Sequence, residues 1–403
     1  MSHILVIGGG IAGPLTAIAL HDAGISSTVY EADADADATS AGAWLTIAVN
    51  GLDALRAVGL HTDVMARGFP SATIVLQSGS GKVLGEVPIG GRLADGTVTH
   101  TIKRAELCAA IHAAVVRRGI RIERGKRLAD AALCDGGVVA RFTDGGQARG
   151  ELLVGADGVH SRTRRIIDPG APSPRFNGLL DVGGFTPPGA VDLAPGEYRM
   201  MFGKRAFFGY TVAPSREVWW FANVPSEHAL ERAERAATTS EQWKDRLVEL
   251  FRDDRGPASD LVRATPGRIV GANQYELASV PTWRRGPIMI LGDAAHAAAP
   301  SSGQGASMAA EDAITLAMCL HDASSFDLGL AAFEASRRPR VERVVQHGAK
   351  MGSAKLAGPV GRVFRDLMMP MFLRRLVRKS GSGSMAWLFD HHLDGSTLGA
   401  ARS

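Results

Sequence analysis

IMILGDAAHAAAPSSGQGA, at residues 288–306, is the stretch that decides the fold of this chain. Its leading apolar run is typical of a buried parallel strand, and Asp293 follows just past the end of that strand. Gly303 and Gly305 let the backbone approach a ligand closely, and a helix is predicted to begin near Ala306. Because helix N-termini attract partly anionic groups, the segment predicts a ligand site where a strand gives way to a helix.

A second glycine turn, GGGIAG, lies near the N-terminus, between the apolar run ILVI and a helix that should open at Ala12. Gly8 allows the tight turn, Gly10 lets a pyrophosphate approach backbone N–H groups, and Gly13 allows the helix to pack on the strand. Glu31 ends the next strand about 20 residues on, where a carboxylate accepts ribose hydroxyls. A carboxylate there disfavours a 2′-phosphate, so FAD or NAD is expected rather than NADP.

A third turn of this kind, LLVGADGVHS, lies between the other two at residues 152–161. It also joins an apolar strand to an acidic glycine turn, centred on Asp157. Alone it fits any connection from a strand to a helix, so its value lies in its position. Three such turns in order indicate a discontinuous Rossmann-like α/β domain.

GGGIAG, GADG and GDAAH, followed by PSSGQG and EDA, resemble in this order the FAD-dependent aromatic monooxygenases of the p-hydroxybenzoate hydroxylase type. The resemblance spans roughly residues 3–335, and the third motif is its most specific part. It implies FAD as the cofactor and NADH or NADPH as a transient co-substrate. It also implies that O2 and a small aromatic molecule are the substrates.

The resemblance assigns roles to individual residues. Arg104, in the segment HTIKRAEL, matches an arginine that contacts FAD, and Asp157 matches a turn that handles both FAD and NAD(P)H. Asp293 matches the acid on the ribityl chain. The expected cofactor-binding residues are Gly8, Gly10, Ala12, Gly13, Glu31, Arg104, Asp157, Gly292, Asp293, Gly303, Gln304, Gly305 and Ala306. The expected catalytic residues, on the loop beside the reacting edge of the flavin, are Pro300, Gly303 and Gly305.

The implied reaction is hydroxylation or epoxidation of a hydrophobic aromatic or polycyclic molecule. NAD(P)H reduces the flavin, which then carries oxygen as a C4a-hydroperoxide that must be kept dry. An FAD-dependent dehydrogenase, oxidase or reductase without oxygen transfer stays open as the alternative. A flavin halogenase is disfavoured because WWFANVP, at residues 219–225, does not match the WxWxIP pattern. A non-catalytic flavin-binding module is the remaining class.

The chain is long enough for two domains and an appendage. We expect the FAD-binding domain at residues 1–70, 98–172 and 268–335, an antiparallel β-rich substrate domain at 71–97 and 173–267, and a helical appendage at 336–403. Aromatic, β-prone runs in the substrate domain suggest a sheet that covers the flavin. The expected substrate-contacting residues are Phe202, Phe208, Tyr210, Trp219 and Pro300. Trp44 is favoured as a core residue.

Charge and composition narrow the partners. Residues 337–379 hold twelve Lys or Arg and two acids, which predicts a C-terminal helix packed on the FAD domain with its arginines in solvent. Membrane contact by this helix is not expected, and neither is nucleic-acid binding, because no aromatic residues interleave with the charges. We expect a monomer or a homodimer.

Cysteine usage and the N-terminus favour the cytoplasm. The three cysteines are widely spaced and form neither a disulfide pattern nor a metal-binding pattern, so no metal is expected. No run of about 18 apolar residues predicts a membrane span. The chain runs straight into its first strand, which leaves no room for a signal peptide.

Overall fold

The structure is a computed structural model that describes residues 3–35, 44–353, 359–380, 385–394 and 398. Other parts of the predicted 336–403 appendage lie outside the described residues. The strands are β1 (His3–Ile7), β2 (Ser26–Tyr30), β3 (Trp44–Ile47), β4 (Phe69–Pro70), β5 (Thr73–Ser78), β6 (Val83–Pro88), β7 (His100–Lys103), β8 (Arg121–Glu123), β9 (Leu128–Cys134), β10 (Gly137–Phe142), β11 (Gln147–Gly150), β12 (Leu152–Gly155), β13 (Arg175–Thr186), β14 (Tyr198–Phe202), β15 (Phe207–Val212), β16 (Val218–Pro225), β17 (Val270–Glu276), β18 (Arg284–Arg285) and β19 (Ile288–Ile290).

The helices alternate with these strands in the first half of the chain and dominate its end. They are α1 (Ala12–Asp22), α2 (Val49–Ala57), α3 (His61–Arg67), α4 (Arg104–Arg117), α5 (Arg162–Ile167), α6 (Arg232–Ala237), α7 (Ser240–Phe251), α8 (Ala258–Ala264), α9 (Asp293–His296), α10 (Gly305–Asp322), α11 (Phe326–Ser353), α12 (Pro359–Ser380) and α13 (Ala386–Phe389). A 3₁₀ turn occupies Pro300–Ser302.

The predicted Rossmann-like fold is confirmed by a sheet with the strand order β18-β19-β12-β1-β2-β8. All of its pairings are parallel except that of β18, the edge strand. β1, β12 and β19 are apolar and almost fully buried, as expected of parallel strands covered on both faces. These three neighbouring strands end in the three glycine turns found in the sequence.

A second sheet has the order β17-β13-β16-β15-β14-β5-β6 and is antiparallel except where β14 pairs with β5. Its strands β5 and β6 come from the 71–97 segment, and β13 to β16 come from the 173–267 segment. One strand departs from the expected segmentation. β17, which the sequence places in the 268–335 segment of the FAD domain, pairs with β13 in this second sheet.

Alternation along these strands gives the second sheet two distinct faces. Trp220, Ala222 and Val224 of β16 join the core that α7 and α8 cover. Trp219 and Phe221 point the opposite way, where their rings meet Trp44 of β3. β3 belongs to a small sheet with β7 and β4, and β7 runs directly into α4. This small sheet therefore connects the aromatic face to the FAD domain.

The C-terminal helices pack on both domains. α11 begins at Phe326, ten positions before the predicted appendage, because its first turns continue the packing against α10. α12 lies on β6, where Leu373 covers Gly85, and α13 contacts α2. In the described part of the chain, every helix is too short or too polar to cross a membrane.

Candidate active site

The turns that end β1, β12 and β19 are hydrogen-bonded side by side. Ala156 donates its N–H to the carbonyl of Ile7 at 2.7 Å, and Leu291 donates to the carbonyl of Gly155 at 3.1 Å. Gly8 has φ +111°, and a Cβ there would lie 2.3 Å from the carbonyl oxygen of Ala156. The turns are thus in direct contact, and only glycine fits at position 8.

Packing requires glycine at Gly13 as well as at Gly8 of the GGGIAG turn, but it does not explain Gly10. A Cβ on Gly13 would lie 1.9 Å from the carbonyl oxygen of Gly8, whereas a Cβ on Gly10 would meet no atom of the described residues within 4 Å. The N-terminus of α1 also has no side-chain cap and no acid in its first turn. Open space in front of uncapped N–H groups is what a pyrophosphate needs, so this turn fits FAD.

Glu31 is fixed beside the same turn. Its carboxylate accepts hydrogen bonds from the N–H of Gly9 and, at 2.8 Å, from the N–H of Asp33. Ala12 faces the third turn, since a Cβ built on Gly292 would lie 3.2 Å from the Cβ of Ala12. The acid at the end of β2 is therefore held where the sequence predicts a ribose-binding group.

The carboxylate of Asp157 has a different role from the one expected. It accepts hydrogen bonds from the N–H groups of Arg162 at 2.8 Å and Thr163 at 2.9 Å, and from the hydroxyls of Ser161 and Thr163. It therefore caps α5. Any contact of the GADG turn with a cofactor has to come mainly from its backbone.

Asp293 is the first residue of α9, directly after the turn that ends β19. It is an exposed residue, yet desolvation by the surrounding protein raises the pKa of its carboxyl. The positive charges of His296 and Arg104 oppose that rise. Arg104, the first residue of α4, is therefore close enough to Asp293 for the two charges to interact.

The loop at residues 300–305 presents one edge to solvent and hides the other. Pro300, Gly303 and Gly305 are exposed, whereas Gln304 between the two glycines is buried. The helix α10 begins at Gly305, one residue before the predicted start near Ala306, again without a side-chain cap or an acid in its first turn. A Cβ on Gly305 would meet no atom within 4 Å. The exposed edge is thus free to face a flavin ring, as the sequence predicts.

The side chain of Gln304 points into the protein rather than toward the cleft. Its Oε1 accepts a hydrogen bond from Nδ2 of Asn50 at 3.0 Å. Nδ2 of Asn50 also donates a hydrogen bond to Glu311 at 2.7 Å. All three residues are at most 1% exposed. Gln304 can therefore serve the cofactor through its backbone, while its side chain anchors the loop to α2 and α10.

A buried ion-pair network stands behind the loop. Arg337 donates to Glu311 at 2.7 Å and to Asp312 at 2.8 Å, and Arg340 makes two hydrogen bonds to Glu311. Asp312 also accepts from His296 and from the N–H of Gly292 at 2.9 Å. The network therefore ties the GDAAH turn, α10 and α11 together.

The cationic side chains of this network determine the protonation states of its two acids. Burial alone raises the pKa of Asp312, but His296, Arg337 and the hydrogen bonds they make hold that pKa well below its usual range. Burial likewise raises the pKa of Glu311, and Arg337 and Arg340 lower it overall. Both acids therefore stay ionised inside the protein.

Sequence reasoning missed the partners of the EDA motif. Arg337 and Arg340 belong to the basic stretch whose arginines were expected in solvent, and that expectation is wrong for both, since their side chains are largely buried. Asn50 was also missed. The available signal was the EDA motif itself, because two adjacent acids in a buried helix need cations nearby.

The aromatic face of the second sheet contacts β3, the strand that passes beside the loop at residues 300–305. Thr46 on β3 is next to Gly303, since a Cβ there would lie 3.5 Å from the Thr46 hydroxyl. Two residues earlier, Trp44 contacts the rings of Tyr198 at 5.3 Å and Phe221 at 5.5 Å. Trp44 is thus partly buried against the hydrophobic cluster that contains Trp219, and we call the rings of Trp44, Trp219 and Phe221 the aromatic wall.

The structure brings only some predicted substrate residues to this wall. Trp219 lies on it, among Trp44 and neighbouring rings. Phe208 and Tyr210 lie on the opposite face, in the core under α7 and α8, so the prediction that they contact substrate is corrected. Phe202 packs toward α12, under the guanidinium of Arg365. Phe221, which the sequence analysis did not select, holds the central position.

Fold and site together define a Rossmann-type flavoenzyme with an aromatic sheet face linked through β3 to its glycine loop, and comparison with known proteins agrees. A family model described as "FAD binding domain" matches residues 1–348. The aurachin C monooxygenase/isomerase of Stigmatella aurantiaca is 28% identical over 360 residues, covering 87% of this chain and 88% of that protein. The 2-heptyl-3-hydroxy-4(1H)-quinolone synthase of Mycobacteroides abscessus is 27% identical over 372 residues, covering 91% and 93%.

A solved structure gives the same result. HpxO of Klebsiella pneumoniae, in complex with FAD and uric acid, superposes with a TM-score of 0.80 at 25% identity, covering 92% of this chain and 93% of that one. The chain belongs to the FAD-binding domain family, among the FAD-dependent aromatic monooxygenases that take electrons from NAD(P)H. FAD is its cofactor, as the glycine turns predicted.

We expect Gly10→Ala and Gly13→Ala to separate cofactor binding from folding. The methyl group at position 10 enters open space, so the apoprotein should unfold at the parental temperature while FAD affinity falls roughly tenfold or more. The methyl group at position 13 collides with the carbonyl of Gly8 and should lower the unfolding temperature. Thermal unfolding and FAD titration of both apoproteins decide this. Normal FAD affinity in Gly10→Ala would contradict it.

We expect Arg337→Met to destabilise the protein by about 3–5 kcal/mol, because two buried carboxylates lose their shared cation. Chemical denaturation followed by circular dichroism measures this loss. Arg343→Met is the matched control on the same helix, since Arg343 is exposed and lies over the ring of Trp387, and it should cost about 1 kcal/mol or less. Similar losses in both variants would show that the network is not a major source of stability.

Proposed function

We propose that this enzyme inserts one oxygen atom into a hydrophobic aromatic or polycyclic small molecule, by hydroxylation or epoxidation. The observation that carries the proposal is the group of aromatic rings formed by Trp44, Trp219 and Phe221, together with the position of Thr46, two residues after Trp44, beside Gly303 of the exposed loop. Flat apolar rings on one side and exposed backbone on the other suit a planar substrate that lies against a flavin.

The residues that would hold FAD are those around the three turns. The N–H groups at Gly10 and α1 would face the pyrophosphate, Glu31 the ribose, and Asp293 with Arg104 the ribityl and ring region. When bound, FAD supplies the reduction by NAD(P)H and the activation of O2 that side chains lack. The Asp157 turn would contribute through its backbone.

The protein itself would stabilise charge on the flavin, exclude water and position the substrate. The N-terminus of α10, uncapped at Gly305, would stabilise negative charge on a ring placed against it by about 0.3–1 kcal/mol. The aromatic wall would exclude water from the reacting face. Pro300 and Gly303 would shape the floor on which the substrate lies, and Trp219 would bound its far side.

The names of the relatives support a heteroaromatic substrate. Uric acid and a 4-quinolone are both planar ring systems that carry ring nitrogen. The alternative, an FAD-dependent dehydrogenase, oxidase or reductase, would use the same cofactor turns without an enclosed aromatic wall. We further propose a cytoplasmic monomer or homodimer that binds O2 and its substrate, with α12 packed on the protein rather than on a membrane.

The test of the proposed function is NAD(P)H consumption by the purified enzyme across a library of planar aromatics under ¹⁸O2. One ¹⁸O atom per product molecule, with NAD(P)H consumed in equal amount, is the expected result. Oxidised product without ¹⁸O would instead support the dehydrogenase alternative. NAD(P)H consumption that yields only peroxide with every compound would contradict oxygen transfer to this substrate class.

Gly305→Val tests the role of the loop. A side chain at position 305 would enter the open space before α10, and we expect slower flavin reduction by NAD(P)H and more peroxide per NAD(P)H consumed. Gly267→Val is the matched control, because a Cβ on the exposed Gly267 also meets no atom within 4 Å. Stopped-flow reduction and a peroxide assay give the readouts. A Gly305→Val enzyme that melts earlier yet reduces and couples normally would make the loop a scaffold only.

A further inference from the structure

A pocket opens at one end of the aromatic face of the second sheet. Trp219 and Phe221 of β16 share that face, and Glu217, two residues before Trp219, continues it because alternate side chains of an extended chain point the same way. The pocket has a volume of about 370 Å³, which lies in the range of small-molecule sites. Its lining residues are Phe185, Pro187, Pro188, Ser215, Glu217 and Pro266.

The lining of this pocket is in direct contact with the aromatic wall. Phe185 pairs with Trp219 across the ladder between β13 and β16, and their rings meet edge to face at 5.8 Å between centroids. The ring of Trp219 in turn lies 6.3 Å from that of Trp44. Trp219 therefore connects the pocket to the rest of the wall.

The carboxylate of Glu217 is fixed through one of its two oxygens. Nε1 of Trp219 donates a hydrogen bond to Oε2 at 2.7 Å, and Nζ of Lys103 lies 2.7 Å from the same oxygen. Nζ of Lys103 also lies 4.2 Å from the ring centroid of Phe185. Among the described residues, Oε1 of Glu217 has no hydrogen-bond donor, and the side chain is 30% exposed. The pocket therefore offers one accepting oxygen on a carboxylate whose charge Lys103 already balances.

We propose that this pocket is a second binding site, which takes a planar aromatic molecule that carries a neutral N–H or O–H donor. One aromatic ring and three prolines provide apolar walls for such a molecule. Oε1 of Glu217 accepts the hydrogen bond of the donor, whereas a cationic ligand would be repelled by Lys103. Binding at this site goes beyond the proposed function, because it requires neither flavin reduction nor oxygen transfer.

The experiment places a thiol in the pocket and asks whether an aromatic probe protects it. Oxidised holoenzyme carrying Ser215→Cys is alkylated with iodoacetamide, with and without 2-naphthol, and peptide mapping follows the new thiol separately from the three native cysteines. A bound ligand covers the pocket lining, so 2-naphthol should slow alkylation at position 215 by roughly fivefold or more. Ser324→Cys, at an exposed position outside the pocket, is the matched control and should react at an unchanged rate.

The role of Glu217 is tested with a matched ligand and a matched variant. 2-Methoxynaphthalene lacks the O–H donor, so it should need a roughly tenfold higher concentration for the same protection. Adding Glu217→Gln should reduce that preference to about threefold, since a neutral acceptor forms a hydrogen bond about half as strong. Glu241→Gln, which removes a glutamate paired with Lys244 at 3.0 Å on α7, should keep the preference unchanged.

Other results would overturn the proposal. If 2-naphthol leaves alkylation at position 215 unchanged, or slows it equally at positions 215 and 324, the pocket is not a binding site. Equal protection by the two naphthalenes would show that Glu217 accepts no hydrogen bond from the ligand, and this comparison stands even if Glu217→Gln fails to fold. Alkylation is measured without turnover, so a negative result leaves the ¹⁸O test of the proposed function unaffected.

Discussion

The arrangement of the site depends on one buried cation, the guanidinium of Arg337. It is 1% exposed and bridges Glu311 and Asp312, two adjacent acids that are fully buried on α10. Asp312 passes this constraint to the turn after β19 through the N–H of Gly292, and Glu311 passes it to Gln304 through Asn50. Breaking a buried pair leaves a charge without compensation, so the loop and the turn are fixed relative to each other.

The same network also holds the C-terminal segment around α13 against the rest of the protein. Arg340 joins Glu311 and also donates to the carbonyls of Trp387 at 2.7 Å and Leu388 at 3.0 Å. The segment that contains α13 is thereby held against α2, whose first turn carries Asn50. A continuous series of hydrogen bonds therefore connects α13 to the buried side of the candidate catalytic loop.

The cofactor-binding turns could be predicted from the sequence because their expected contacts with the cofactor come mainly from backbone groups. Glycine spacing, strand ends and helix starts are local properties, and the start of α10 differed from expectation by one residue. The ion-pair partners were missed because Arg337 follows its acids by more than 20 positions, in a stretch where it looks like any solvated arginine. The capping role of the Asp157 carboxylate was missed because a helix-capping acid and a ligand-binding acid occupy the same place in such a turn.

The residues expected to contact the substrate could not be predicted correctly from the sequence, for a different reason. β15 is buried on both faces, so its run of apolar residues carries no alternation that separates Phe208 from Phe207. The helices α7 and α8, which come later in the chain, cover one face of the sheet and bury Phe208 there. Phe207 therefore lies on the other face, against Phe221. The position of Phe221 on the face that meets Trp44, and of Phe208 in the opposite core, therefore follows from tertiary packing that the strand sequences alone do not encode.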